Sequence, residues 1–218
     1  MSGRGIFITF EGSEGCGKTT QIQMLRASLE AAGRRVQLTR EPGGTVIGEK
    51  IRHLLQHDDD GEGMFPATEL MLFAASRAQL VREVILPALE AGTVVISDRF
   101  MDSTTVYQGV AREIPAESVA QINRFAVGGC LPDLTFVLDL DADAALERIR
   151  ARADAGESLD RIERESSEFF ERVRDGYLNL IASEPSRMRL LDASLPRETL
   201  AAKILNHVND LAHGVSSR

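Results

Sequence analysis

Gly12, Gly17, Lys18 and Thr19 stand at the spacing G-x-x-x-x-G-K-S/T, within the run Gly12-Ser13-Glu14-Gly15-Cys16-Gly17-Lys18-Thr19. A loop of this pattern turns its backbone N–H groups inward onto phosphate oxygens. That needs unusual dihedrals and no side chains in the way, hence the glycines. Lys18 is then spaced to reach the β and γ phosphates of a nucleoside triphosphate, and the Thr19 hydroxyl to ligate Mg²⁺. An apolar run, Ile6 to Phe10, precedes the loop, and a stretch of helical spacing opens near Lys18. This strand-loop-helix context favours a phosphate cradle over an empty Gly-rich turn, and the helix N-terminus adds its dipole.

Three further groups could act on a bound phosphate or on its acceptor. Asp98-Arg99-Phe100 follows the strand-length run Thr93 to Ser97. Strand ends face the ligand crevice in open α/β sheets, so Asp98 can assist Mg²⁺ and Arg99 can hold a phosphate; a surface ion pair at a strand end is the alternative. Arg148, Arg150, Arg152, Arg161 and Arg164 flank a Gly-containing interruption, Asp154 to Glu157. Cations so placed suit a lid over about 148–162 that closes on the transferring group, with Arg152 and Arg161 nearest the break. A solvated helix face is the alternative for Arg148 and Arg164. Phe73 and Arg77 lie four apart on one helical face. They could stack on a base and bond its edge, although by pattern alone Phe73, among Leu70, Met71, Leu72 and Ala74, reads first as a core residue.

The elements needed to position these residues are legible as alternating periodicities. Strand-length runs occur at Ile6 to Phe10, Val36 to Thr39, Thr93 to Ser97, Leu134 to Leu138 and Met188 to Leu191. Helical spacing covers 18–31, 44–56, 68–90, 115–127, 142–152, 163–182 and 197–211. Alternation of this kind predicts one α/β domain over 1–218, a parallel five-stranded sheet flanked by helices in three layers. The run from His57 to Gly63 reads as an exposed loop, and 213–218 as a frayed tail.

Composition narrows the partners. With 33 acidic against 25 basic residues and a net charge of −8, a nucleic-acid backbone or anionic membrane surface is a poor fit as main partner. No apolar run has the length of a membrane span, and the start lacks a signal peptide's apolar region, which points to the cytoplasm. Two cysteines and four scattered histidines offer neither a disulfide framework nor zinc-ligand spacing.

Several longer runs resemble the bacterial thymidylate kinase family in content and order: ITFEGSEGCGKTT (Ile8 to Thr20), TREPGGT (Thr39 to Thr45), FAASRAQL (Phe73 to Leu80), DRFMDSTTVYQG (Asp98 to Gly109), PDLTFVLD (Pro132 to Asp139), and RIRAR with LDRIE. The resemblance covers nearly the whole chain. It implies the P-loop NTPase fold and transfer of the ATP γ-phosphoryl to dTMP with Mg²⁺, by a homodimer. It further implies that Phe73 stacks on thymine, that Arg77 bonds the base edge, that Glu14 meets the sugar 3′-hydroxyl, that Arg99 holds the acceptor phosphate, and that Tyr107 and Gln108 contact sugar and base. One branch of the family carries an arginine where this chain has Gly15, so the catalytic charge is expected from the lid. The link ADAGES between Arg152 and Leu159 is longer than the family pattern. Rival readings are a P-loop kinase of another deoxynucleotide or deoxynucleoside, and a non-catalytic nucleotide-binding protein.

Overall fold

The structure is a computed structural model and describes residues 4–56, 63–156 and 158–215. Five strands form one parallel sheet: β1 (Phe7–Glu11), β2 (Val36–Arg40), β3 (Val94–Asp98), β4 (Leu134–Asp139) and β5 (Met188–Asp192). Their spatial order is β2-β3-β1-β4-β5. Each predicted strand is present, and each runs one residue further at its C-terminal end, so that Glu11, Arg40, Asp98, Asp139 and Asp192 close the five strands. Two of those ends, Arg40 and Asp98, line the cavity beside the loop after β1, on the side where ligands bind in parallel sheets.

β1 sits at the centre of the sheet, and its residues alternate between two cores as a strand must. Ile8 and Phe10 face α1 (Lys18–Ala31) and α9 (Arg197–Val215), packing with Leu25, Leu29, Ile204 and Val208. Phe7 faces the opposite layer with Leu80, Ile85, Val95 and Phe100. That layer contains α3 (Pro66–Leu80), α4 (Leu86–Glu90), α6 (Ala116–Val127) and α8 (Ser167–Ser183). Burying each such aliphatic or aromatic side chain contributes roughly 1.5–3 kcal/mol, so the central strand anchors both layers.

The predicted single helix over 68–90 is interrupted. Between α3 and α4 lies a π-helical turn, Val81–Ile85. Pro87 has no N–H and its ring crowds the carbonyl four residues earlier, at Glu83 inside that turn, which accounts for the widened ladder. A second helical element goes unread in the sequence: α5 (Met101–Thr104) continues as a π-helical segment, Thr105–Ala111. The remaining helices are α2 (Val46–Gln56) and α7 (Ala142–Asp154). The helix expected from Glu163 starts at Ser167, because the Ser166 side chain caps it by accepting from the Phe169 N–H at 3.3 Å. The helix expected to stop at Leu211 runs to Val215. Of the 57–63 loop only Gly63 lies within the described residues, and 216–218 and Glu157 lie outside them.

Candidate active site

The loop after β1 is forced into its shape by close packing. Gly12 has φ +127°, and a Cβ there would meet the Leu138 carbonyl oxygen at 2.5 Å. Gly15 has φ +72°, and a Cβ there would lie 3.1 Å from the Ala145 carbonyl oxygen and 3.3 Å from Arg148 Cβ. Helix α7 therefore presses directly on the position where a side chain is missing. It also supplies a guanidinium to it: Arg148 Nη1 donates to the Gly15 carbonyl at 3.0 Å.

Lys18 opens α1 and is buried, its Nζ donating to the carbonyls of Gly12 at 3.1 Å and Ser13 at 2.8 Å. The neighbouring Thr19 hydroxyl lies 3.4 Å from Asp98 Oδ2. A hydroxyl and a carboxylate at this separation, beside a phosphate-binding loop, are the hard oxygen donors Mg²⁺ accepts when phosphate oxygens and water supply the rest. Lys18, Thr19 and Asp98 line one cavity of about 190 Å³ together with Glu14, Gly15, Arg40, Glu41, Arg52, Arg99 and Arg152.

Arg99 follows β3 at φ +68°, a left-handed conformation that a non-glycine residue adopts at a cost. Its backbone is pinned on both sides: the Arg99 N–H donates to the Phe10 carbonyl at 2.9 Å, and its carbonyl accepts from Ser97 Oγ at 2.7 Å. The guanidinium is thereby aimed into the crevice. It donates to Glu14 Oε1 at 2.7 Å, the Tyr107 hydroxyl at 3.1 Å, Ser103 Oγ at 3.0 Å and the Tyr177 hydroxyl at 3.3 Å. Behind it stands Glu11, fully buried, accepting from the Phe100 N–H at 2.8 Å, Ser103 Oγ at 2.6 Å and Tyr177 OH at 2.8 Å. Burial, then the nearby Asp102 charge, pushes the Glu11 carboxyl up to about 7 against the pull of Arg99 and the two hydroxyls.

A second, narrower cavity is lined by Glu14, Pro42, Gln56, Phe73, Arg99, Ser103, Thr104, Tyr107 and Gln108. The π-helical segment lets two consecutive residues, Tyr107 and Gln108, serve the same wall, a use to which such widened turns are often put. Tyr107 donates its hydroxyl to Glu14 Oε2 at 2.8 Å, and Gln108 Nε2 donates to Glu69 Oε1 at 2.7 Å. Phe73 is half-buried, packing against the apolar cluster that contains Val106, Tyr107 and Phe169 while lining the cavity, so its core and site readings coexist.

Two sequence candidates fall elsewhere than the cavity surface. Arg77 is 1% exposed and stands behind the wall. It pairs with Glu41 at 2.6 Å and donates to Asn123 Oδ1 at 2.9 Å and to Thr104 Oγ1 at 2.9 Å. Burial pushes the Glu41 carboxyl up to about 6, with Arg77 opposing. Arg161 does not line the phosphate cavity. The buried Glu69 carboxylate captures its guanidinium, and its Nε donates to the Leu55 carbonyl at 3.0 Å. Arg152 does line it, paired with Glu163.

Arg40, Glu41, Arg52 and Glu11 were not singled out in the sequence. Arg40 and Glu11 end β2 and β1, so the strand-end rule that selects Asp98 also reaches them. Glu41 follows directly and is tied to β3 by its N–H donating to the Asp98 carbonyl at 2.9 Å. Arg52 carries no local signal. It is one arginine on α2, and burial followed by the like charge of Arg40 holds its guanidinium below its ordinary value. A larger groove of about 760 Å³ runs along the outer edge of β2, lined by Gln37, Thr39, Glu83 and Pro87, and shares only Arg40 with the phosphate cavity.

Known proteins resemble the chain along nearly its whole length. Residues 10–204 match the family model described as thymidylate kinase. The chain is 48% identical over 208 residues to a thymidylate kinase of Pelotomaculum thermopropionicum, covering 95% of this chain and 94% of that protein. It is 48% identical over 205 residues to one of Trichlorobacter lovleyi, covering 93% and 96%. The crystal structure of thymidylate kinase from Ehrlichia chaffeensis superposes with a TM-score of 0.74 at 31% identity, over 94% of this chain and 99% of that one. A phosphate loop, a second cavity reached through Arg99 and Glu14, and relatives matched along nearly their full length lead to one assignment: this chain belongs to the thymidylate kinase family.

Proposed function

We propose that this chain transfers the γ-phosphoryl group of ATP to the 5′-phosphate of dTMP, giving ADP and dTDP. One observation carries the reading: the phosphate cavity and the narrower cavity share Glu14, Gln56 and Arg99. A donor held by the loop and an acceptor held by the second cavity would meet across those residues, which is what transfer between two bound molecules requires.

The acceptor oxygen is already anionic, so positioning and charge neutralisation do most of the work and no strong base is needed. Lys18 and the loop N–H groups hold the donor phosphates. Arg99 orients the acceptor phosphate, with Glu14 fixing the guanidinium and meeting the sugar hydroxyl. Arg152 brings positive charge from the lid, and Arg161 seats the lid on Glu69. Mg²⁺ bound through Thr19 and Asp98 would screen charge on the β- and γ-phosphate oxygens. Phe73 faces the base, Tyr107 and Gln108 close its wall, and Arg77 braces that wall from behind through Glu41, Asn123 and Thr104.

Two features bear on the setting. Among the described residues no helix is long and apolar enough to cross a membrane, in keeping with a cytoplasmic enzyme. Ile47, Met71 and Phe125 are exposed at 52%, 59% and 83% on α2, α3 and α6, where α3 packs against both of the others, and exposed apolar residues on neighbouring helices suit a homodimer.

The test is ADP release from ATP with dTMP, dUMP, dCMP or thymidine as acceptor. The reading expects dTMP to be used best. Equal rates with all four, or no acceptor-dependent release, would overturn it.

A further inference from the structure

Glu69 lies on the first turn of α3, outside the phosphate cavity, yet it is 2% exposed. Three polar side chains converge on it. Gln108 Nε2 donates to Oε1 at 2.7 Å, Arg112 donates at 3.4 Å to each oxygen, and Arg161 donates to Oε2. Burial alone would raise this carboxyl, but Gln108, Arg112 and Arg161 together hold it below its usual range. Glu69 is therefore an ionised carboxylate and can only accept hydrogen bonds.

That restriction decides which way the Gln108 amide points. Its nitrogen must face Glu69, since an amide oxygen turned toward a carboxylate would be repelled and leave a buried acceptor unsatisfied. The amide oxygen is then the atom turned away from Glu69, on a residue that lines the narrow cavity. Gln108 is itself 1% exposed and its backbone is held by the Ile114 N–H donating to the Gln108 carbonyl at 3.2 Å, so the side chain has little room to reorient.

We propose that Glu69 is a specificity-determining residue that acts through Gln108: by fixing the amide orientation, it makes the cavity present a hydrogen-bond acceptor to the base. The base class that satisfies such an acceptor carries a ring N3–H, as thymine and uracil do. Cytosine carries a lone pair at N3 and meets the amide oxygen as a second acceptor. A site committed to one hydrogen-bond polarity rejects the wrong partner because a buried group is left unpaired. Arg112 and Arg161 serve the same end by keeping Glu69 charged, so the lid segment that carries Arg161 contributes to base selection without touching the base. The inference rests on the proposed function, in that the narrow cavity is taken to receive the acceptor base.

The experiment compares kcat/KM for dTMP and dCMP in the wild type, Glu69→Gln and Gln108→Met, with ATP KM measured alongside. In Glu69→Gln the new amide can donate to the Gln108 oxygen, so the polarity is no longer imposed. The expected result is a fall of about tenfold or more in the dTMP-to-dCMP ratio, with ATP KM unchanged. Gln108→Met removes the amide while leaving Glu69 in place and should lower the ratio similarly, which keeps the test decisive if Glu69→Gln folds poorly. A ratio that stays at the wild-type value in soluble Glu69→Gln, or in Gln108→Met, while both rates fall together overturns the inference and leaves the proposed function standing. A wild type that uses dTMP and dCMP equally overturns the proposed function itself.

Discussion

The Arg99 guanidinium donates to Glu14 Oε1 at 2.7 Å, joining the strained residue after β3 to the variable middle of the phosphate loop. Both partners are mostly buried, with side-chain exposures of 15% and 13%, so the pair is held in place more firmly than a surface bridge. Arg99→Lys keeps the charge but loses the fork that serves Glu14, Tyr107 and Ser103 at once. It should lower kcat/KM for dTMP by roughly 100-fold while changing ATP KM little. Steady-state kinetics with each substrate varied in turn checks this, and a loss confined to ATP KM would contradict the acceptor role.

Arg152 and Arg161, equivalent in the sequence, should separate in experiment. Arg152 lines the phosphate cavity, and Arg152→Ala is expected to lower kcat by about 10³ with dTMP binding preserved. Arg161 holds Glu69 and the Leu55 carbonyl, so Arg161→Ala should disturb dTMP binding more than Arg152→Ala does. Equal kcat losses with unchanged dTMP affinity in both variants would show that Arg161 swings to the phosphates after all. Lys18→Ala should abolish measurable turnover.

A side chain at Gly15 would crowd α7 and sit on a backbone of positive φ. Gly15→Arg, which would place an arginine in the loop, should not add activity; it should destabilise the protein by about 1–2 kcal/mol through its positive φ and its contact with the Ala145 carbonyl. Thermal denaturation beside a rate assay reads both effects, and an active variant of unchanged stability would show that α7 yields.

Stability should depend on pH through Glu11 and Glu41. Burial raises their carboxyls from 4.5 to about 7 and about 6. The folded state therefore binds more protons than the unfolded state between these values, and the contribution of each group is fully present below 4.5 and lost as pH rises through the folded pKa. Glu41→Gln and Glu11→Gln should flatten this slope. Relative to the wild type, each variant gains in Tm between pH 5 and pH 8, by roughly 5 °C. Melting curves across that window check the sign, and a relative loss toward pH 8 would reverse it.

Phe125 is 83% exposed on α6, a helix that packs against α3. Phe125→Asp should convert a dimer to a monomer in analytical ultracentrifugation with the fold intact. A monomeric wild type would remove the homodimer from the proposal.

The phosphate loop and the five strands were legible because each is written in local sequence. Glycines with positive φ, a lysine after the last glycine, and apolar runs of strand length need no distant partner to be recognised. Asp98 and Arg99 followed from one topological rule about strand ends. Arg52, Glu69 and Tyr177 were not legible, for they join the site through long-range contacts: Glu69 meets Gln108 and Arg161 across 39 and 92 positions, and Tyr177 meets Glu11 across 166. The segment 101–111 escaped because its π-helical turns break the 3.6-residue period that reveals a helix.

The sequence by itself thus determined the sheet, the cradle and the family resemblance, since these rest on periodicity and on short motifs whose backbone geometry is set by neighbouring residues. Only the three-dimensional packing separated Arg152, which lines the loop's cavity, from Arg161, which binds Glu69, set Gln108 against Glu69, and brought α7 against Gly15. Those outcomes depend on which buried charges find partners, and a charge taken out of water is placed by the fold that encloses it rather than by the residues beside it in the chain.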